Sequence, residues 1–233
     1  MAELKVMCAR SMHKAVEALA RDFCARSGHD IVFEFGTVGA LQAKLAAGET
    51  TDVLILATPA IDKLEGAGGL VPGTRRDVAR TFVAVCIREG APAPDIGTPE
   101  AFARTMRDAR AIALSDPAVG GSAGVYLASL FERMGLAAMI ERKGLLQPTG
   151  AEVARRVVEG KADIGLTLSG EIAAVPGAVI AGPLPPPFGN DTTYCAAVSV
   201  TCAARAAGEA FIAALRAPSA RATWERAGFA VPA

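Results

Sequence analysis

Short apolar runs alternate with segments of helical period from one end of the chain to the other, and this alternation is what most constrains the fold. The strand candidates are 4–9, 30–35, 53–57, 81–87, 111–115, 163–167, 178–183 and 194–201. Helical stretches at 12–26, 40–47, 61–67, 99–107, 123–134, 151–159, 205–214 and 219–227 fall between most of them. The first is the clearest. Met12, Ala15, Val16, Leu19, Ala20 and Phe23 follow the three-and-four spacing of one helical face. Parallel strands need crossover connections, and helices are the usual ones, so the pattern predicts an α/β chain with a mostly parallel sheet.

Four of the helices start from a small or hydroxyl-bearing turn. Ser11 sits between the first strand and the first helix and is expected to be its N-cap. Gly36, Thr37, Val38 and Gly39 form the second start, where two glycines let a ligand approach the backbone. The third runs from Ser115-Asp116-Pro117 through Gly120-Gly121 to a helix start at Ser122/Ala123. The fourth is Pro148-Thr149-Gly150, with Glu152 at capping-box spacing from Thr149. A helix N-terminus carries free N–H groups and partial positive charge, so it attracts anions. One such start is ordinary in any α/β protein. Four converging on one cleft would cradle a small, dense anion.

Two longer strands, 81–87 and 194–201, look like crossovers between lobes. The expected organisation is 1–82 as the first part of lobe one, 83–195 as lobe two and 196–233 as the return to lobe one, with the ligand cleft between them. The segment 182–191, rich in proline and glycine, must be a loop. The 24 basic and 24 acidic residues cancel, which argues against nucleic acid or an anionic membrane as partner. No run is long and apolar enough for membrane insertion. With no signal peptide visible, the chain as written reads as cytoplasmic, or as periplasmic if a leader has been removed. Five cysteines, an odd and widely spaced set, speak against a disulfide framework and against a zinc site. Cys8, beside the first helix start, is the thiol to watch. No P-loop, dinucleotide fingerprint, nucleophile elbow or zinc-protease motif occurs, and no cofactor or metal is expected.

The order of these segments resembles the molybdate-binding protein family of the type II periplasmic binding fold. The matching stretches are Val6 to Met12, Phe35 to Leu41, Ala47-Gly48-Glu49-Thr50-Thr51-Asp52-Val53, Ser115-Asp116-Pro117 to Gly124-Val125-Tyr126, Gly160 to Gly165, and Trp224 to Phe229. The resemblance implies a two-lobed receptor for a small anionic ligand, usually the extracytoplasmic partner of an ABC permease. Carried over residue by residue, it implies oxyanion contacts at Ser11, at the Thr37/Val38 turn, at Ser122/Ala123, at Val153 and near Leu168. Two positions depart from the family. Val38 stands where a hydroxyl is expected, and Leu168 stands where a tyrosine hydroxyl is expected. Arg10 replaces a small residue, and its guanidinium either grips a carboxylate through two oxygens or points to solvent at the cleft rim.

Other residues carry thinner signals. His13, in the first turn of the same helix, reads as an exposed helix residue or as a general base. His29 reads as a surface turn residue. Arg155-Arg156 could add a cation near the fourth helix start, although such pairs are more often solvated. Tyr194 could present its hydroxyl to the ligand or pack as a hinge aromatic, and Glu171 and Asp191 are candidate carboxylate bases. Two functions follow. One is a small-anion binding protein that is not molybdate-specific. The other is a cytoplasmic isomerase of a small tricarboxylate such as aconitate, on the same fold. A regulator's effector domain shares the fold class but lacks a preceding helix-turn-helix.

Overall fold

A computed structural model describes residues 2–36, 38–119 and 122–232, apart from the side chains of Val119 and Ser122. Thr37, expected at the ligand, lies outside the described residues. The described strands are β1 (Glu3–Ala9), β2 (Asp30–Gly36), β3 (Val53–Ala57), β4 (Arg76–Arg88), β5 (Ile112–Ser115), β6 (Gly144–Gln147), β7 (Ile164–Leu168), β8 (Ala178–Pro183) and β9 (Asp191–Val198). The α-helices are α1 (His13–Ser27), α2 (Val38–Ala46), α3 (Thr58–Gly66), α4 (Pro99–Asp108), α5 (Ser122–Arg133), α6 (Ala137–Lys143), α7 (Gly150–Val158), α8 (Ser169–Ala173), α9 (Arg205–Arg216) and α10 (Arg221–Arg226).

Met1–Arg80 and Thr192–Ala233 make one compact unit, and Thr81–Asp191 makes another. In the first unit the strand order is β2-β1-β3-β9. β1 runs parallel to β2 and β3, whereas β3 and β9 are antiparallel, with Ala57 opposite Tyr194. Side chains alternate along a strand, so β1 feeds two cores. Leu4, Val6 and Cys8 join Val16, Leu19 and Phe23 of α1 together with Phe211 and Trp224 on one face. Met7 points the other way, to Leu41 of α2 and Ile61 of α3. Trp224 is fully buried and its indole N–H donates to the Leu215 carbonyl at 2.8 Å. A ring this large can be buried there because its one polar atom is satisfied.

In the second unit β4 lies between β8 and β7, and β5 and β6 follow, giving the order β8-β4-β7-β5-β6. β4 is antiparallel to both neighbours, while β5 is parallel to β7 and β6. Val83, Val85 and Ile87 face Phe102, Met106, Leu127, Leu130 and Phe131. Ala84 and Cys86 face Val153 and Val157 of α7. Gly165 makes that contact close, because a Cβ there would lie 2.9 Å from both Val153 and Val157.

Three expectations need correction. The sheets are mixed rather than mostly parallel, because β4, β8 and β9 run against their neighbours. Ser11 does not cap α1. The chain leaves β1 through a 3₁₀ turn over Arg10–Met12, so Met12 takes the cap position and no side chain caps the helix. β6, α6 and α8 were not expected. They have four, seven and five residues, too few for a hydrophobic period to show.

Candidate functional site

Each unit gathers its polar groups at the carboxyl ends of its parallel strands, where α/β proteins place their ligands. In the first unit β1 ends at Ala9 opposite Gly36, the last residue of β2, and β3 ends at Ala57 opposite Tyr194. The 3₁₀ turn that displaces Ser11 from its helix cap aims its hydroxyl at Tyr194, with Oγ and the phenol oxygen 2.9 Å apart. Ser11 is exposed, whereas the Tyr194 ring is buried edge-on against Phe229. Two hydroxyls from positions 183 residues apart therefore sit side by side, one of them on a fixed ring. Next to Ser11, Arg10 is exposed and its guanidinium makes a long contact of 3.5 Å to the Phe35 carbonyl. His13 is half-buried with its ring edge-on to Phe35 at 5.7 Å. Val38 opens α2 and its side chain packs partly into both cores of the unit.

Cys8 is not a reactive thiol at this edge. It is fully buried, burial pushes its pKa far up, and its S–H contacts the Ala9 carbonyl. His29 is half-buried, stacks on Phe23 and accepts the Ala2 N–H at its Nδ1.

In the second unit Ser115 ends β5, Gln147 ends β6 opposite it, and Leu168 ends β7. Ala123 is buried in the first turn of α5, and Gly124 explains why that helix can start so close to β5. A Cβ at 124 would lie 2.7 Å from the Ser115 carbonyl oxygen. Tyr126, two residues on, donates its hydroxyl to the Phe188 carbonyl at 2.9 Å and so tethers the proline-rich loop. The Gly-x-Tyr element is thus a packing and tethering device around the helix start. Asp52 and Asp163 are structural too. Asp52 takes the Lys5 N–H at 2.8 Å, and Asp163 takes both the backbone N–H and the guanidinium of Arg110.

Thr149 caps α7 as its spacing predicts, its Oγ1 accepting the Glu152 N–H at 3.2 Å. The Val153 N–H is committed inside the helix to the Thr149 carbonyl at 3.1 Å, and its side chain is fully buried core. Leu168 is half-buried against apolar neighbours and presents no donor from its side chain. Arg156 is occupied by Gln147 at 3.0 Å and by Glu159 at 3.3 Å, whereas Arg155 is exposed. Glu171 is more informative than its sequence context. The fully buried Thr167 hydroxyl donates to its Oε2 at 2.8 Å, and the Gly150 N–H donates to its Oε1 at 3.3 Å. Ser115 lies 3.1 Å from Thr167, extending the cluster. No local signal announces it, because β5, β7, α7 and α8 each supply one member. No group of His, Cys, Asp and Glu suited to a metal occurs among the described residues, and no described helix is long and apolar enough to cross a membrane.

A family model described as bacterial extracellular solute-binding protein matches residues 4–230. Aconitate isomerase of a Pseudomonas species is 37% identical over 166 residues, which span 70% of this chain and 60% of that protein. The match therefore covers less than two thirds of that relative's length. Among solved structures, the substrate binding domain assigned to a molybdenum ABC transporter of Clostridium difficile has a TM-score of 0.82 at 18% identity, over all of both chains. The periplasmic molybdate-binding protein of Azotobacter vinelandii has a TM-score of 0.69 at 23% identity, over 99% of this chain and 100% of that one. At these identities the likeness establishes the fold, that of the two-lobed type II periplasmic solute-binding proteins.

Proposed function

Because the chain belongs to the bacterial extracellular solute-binding protein family, we propose that its ligand is a small organic carboxylate rather than molybdate. The observation that carries this reading is the Ser11–Tyr194 hydroxyl pair with the exposed Arg10 guanidinium one residue away. Two hydroxyls and a planar cation match a carboxylate, whose two oxygens lie in a plane. The second unit points the same way. A tetrahedral oxyanion needs donors on every side, and a buried polar group left bare is costly. Leu168 offers no side-chain donor and the Val153 N–H is already used, so the second unit is poorly furnished for such an ion. A carbon skeleton tolerates the apolar side that Leu168 makes.

Thermal-shift titration against molybdate, tungstate, sulfate, citrate and aconitate tests the reading. A larger shift with a carboxylate is expected, and a larger shift with molybdate than with every carboxylate overturns it. If the native chain is exported, an ABC permease is its partner, and a gene start with a leader beside permease and ATPase genes would support that placement.

A second reading is supported by the aconitate isomerase relative. Interconverting cis- and trans-aconitate needs a carboxylate cradle and a group that moves a proton. His13, Ser11 and Tyr194 carry exchangeable protons at the first unit's edge, and His13 is the candidate base among them. Incubating the protein with cis-aconitate and following the trans isomer by NMR separates the two readings. Binding without turnover leaves a receptor.

A further inference from the structure

The second unit has a cavity at the end opposite its polar edge. Its volume is about 390 Å³, inside the range of about 300–1,000 Å³ that suits small ligands. Ile164 opens β7 and Leu168 closes it, so about 13 Å of strand separates the cavity from the polar edge. Much of the lining is apolar, with Ile87 of β4, Val157 of α7 and Ile164, and the methyl groups of Ala91 and Ala162 leave the space open. Three charged side chains complete it: Arg88, Arg110 and Asp163. Two of them satisfy each other. The Asp163 carboxylate takes the Arg110 backbone N–H at 2.7 Å and its guanidinium at 2.5 and 3.1 Å, which holds the carboxyl below its usual range. Arg88 is exposed at the end of β4, and its guanidinium has no hydrogen bond or ion pair among the described residues. Its Nη1 lies 3.8 Å from where a Cβ on Gly160 would be, beside the cavity. The end of α7 does not hold it there, because the carbonyls of Arg155, Arg156 and Val157 already accept backbone N–H groups from residues 159–162. With two arginines and one aspartate, the lining keeps one positive charge that the chain does not neutralise.

We propose that this cavity is a second binding site, for a small monocarboxylate with a compact apolar body, and that Arg88 is its cation. Such a molecule fits both halves of the lining. The apolar residues cover its body, and the free guanidinium takes its two carboxylate oxygens. Other anions fit less well. A di- or tricarboxylate would press its further charges on Ile87, Val157 and Ile164, where no side chain donates, and a bare charge is costly to bury. Arg110 supplies no second cation, since Asp163 cancels it. An inorganic dianion would meet one unpaired cation and leave the apolar lining uncovered. The site shares no residue with the edges described above, so it does not depend on the carboxylate reading of them.

Amide NMR of the full chain titrated with benzoate, and calorimetry on wild type, Arg88→Gln, Ala91→Leu and Ser11→Ala, test this. Benzoate is expected to shift the amides of Ile87, Ala91, Ala162 and Ile164. Arg88→Gln should weaken benzoate binding at least about tenfold, through loss of its charged partner. Ala91→Leu should weaken it as well, by filling the cavity. Benzyl alcohol has the same ring without the charge and should bind wild type at least about tenfold more weakly. Ser11→Ala should change benzoate affinity by less than about twofold, since distant sites act independently. If Arg88 only offsets the dipole at the end of α7, Arg88→Gln lowers the melting temperature and leaves benzoate affinity unchanged, which overturns the proposal. Amide shifts confined to the surroundings of Ser11 and Tyr194 overturn it too, as does wild-type protein that binds no benzoate. If Ala91→Leu fails to fold, Arg88→Gln decides. Wild-type protein that takes benzoate here but neither citrate nor aconitate overturns the carboxylate reading above and supports this one.

Discussion

Gly150→Ala probes the Glu171 corner of the second unit through stability. The added methyl would sit 1.8 Å from Glu171 Oε2 and 2.1 Å from Thr167 Oγ1. The carboxylate is the end of a flexible side chain and can swing away. Thr167 is fully buried in β7 and cannot. Relief therefore costs the Thr167–Glu171 and Gly150–Glu171 hydrogen bonds, and a hydrogen bond to a charged group contributes about 1.5–3 kcal/mol. Crowding around the immobile threonine adds about 1–3 kcal/mol. Against this, replacing glycine by alanine at a helical position stabilises by about 0.5–1 kcal/mol. The net expectation is a loss of about 3–8 kcal/mol. Urea denaturation reads it as a lowered midpoint with an unchanged slope. Gly39→Ala is the control. Gly39 is exposed in α2, nothing lies within 4 Å of its would-be Cβ, and that variant should gain about 0.5–1 kcal/mol. A Gly150→Ala protein that loses less than about 0.5 kcal/mol would refute the reasoning, since the steric conflict would then have been absorbed without cost.

Ser11→Ala removes one member of the hydroxyl pair and should weaken carboxylate binding by about 1–2 kcal/mol in calorimetry; equal affinity takes Ser11 out of the site. Tyr126→Phe removes the donor to the Phe188 carbonyl. Amide exchange at Phe188, Gly189 and Asn190 should speed up for a cost of about 0.5–1.5 kcal/mol, and unchanged exchange would show that the loop is held by packing alone. Alkaline pH should destabilise the protein through its buried thiols. Burial raises Cys86 to about 12, and burial with the neighbouring Asp52 raises Cys202 to about 11. An unfolded thiol ionises near 8.5, so the stability these neutral thiols contribute is intact below that pH. For the fully buried Cys86 it falls by about 1.4 kcal/mol per pH unit above it until the folded pKa is reached, and for the half-buried Cys202 by less, because solvent screens its charge. Cys86→Ala should flatten the alkaline decline in melting temperature, and an identical pH profile would remove Cys86 as a cause.

Features that close within a few residues were legible along the chain. The apolar run at 4–9 announced the first strand, and the spacing of Ala15, Val16, Leu19, Ala20 and Phe23 announced the buried stripe of α1. Thr149 and Glu152 announced the start of α7, because an N-cap bond spans only three residues. Very short elements such as α8 and β6 were not legible, since their existence depends on the sheet edge and helices they pack against. The same limit applied at the site. Ser11 looked like a cap from its neighbours, but its partner is Tyr194, 183 residues away. Glu171 had no local signature, yet it meets Thr167, Gly150 and the helix end of α7. These roles follow from packing within each unit. A hydroxyl or carboxylate goes to whichever donor or acceptor the packed strands and helices bring within about 3 Å, and that neighbour is set by the strand pairing and helix packing of each unit, far outside any local pattern.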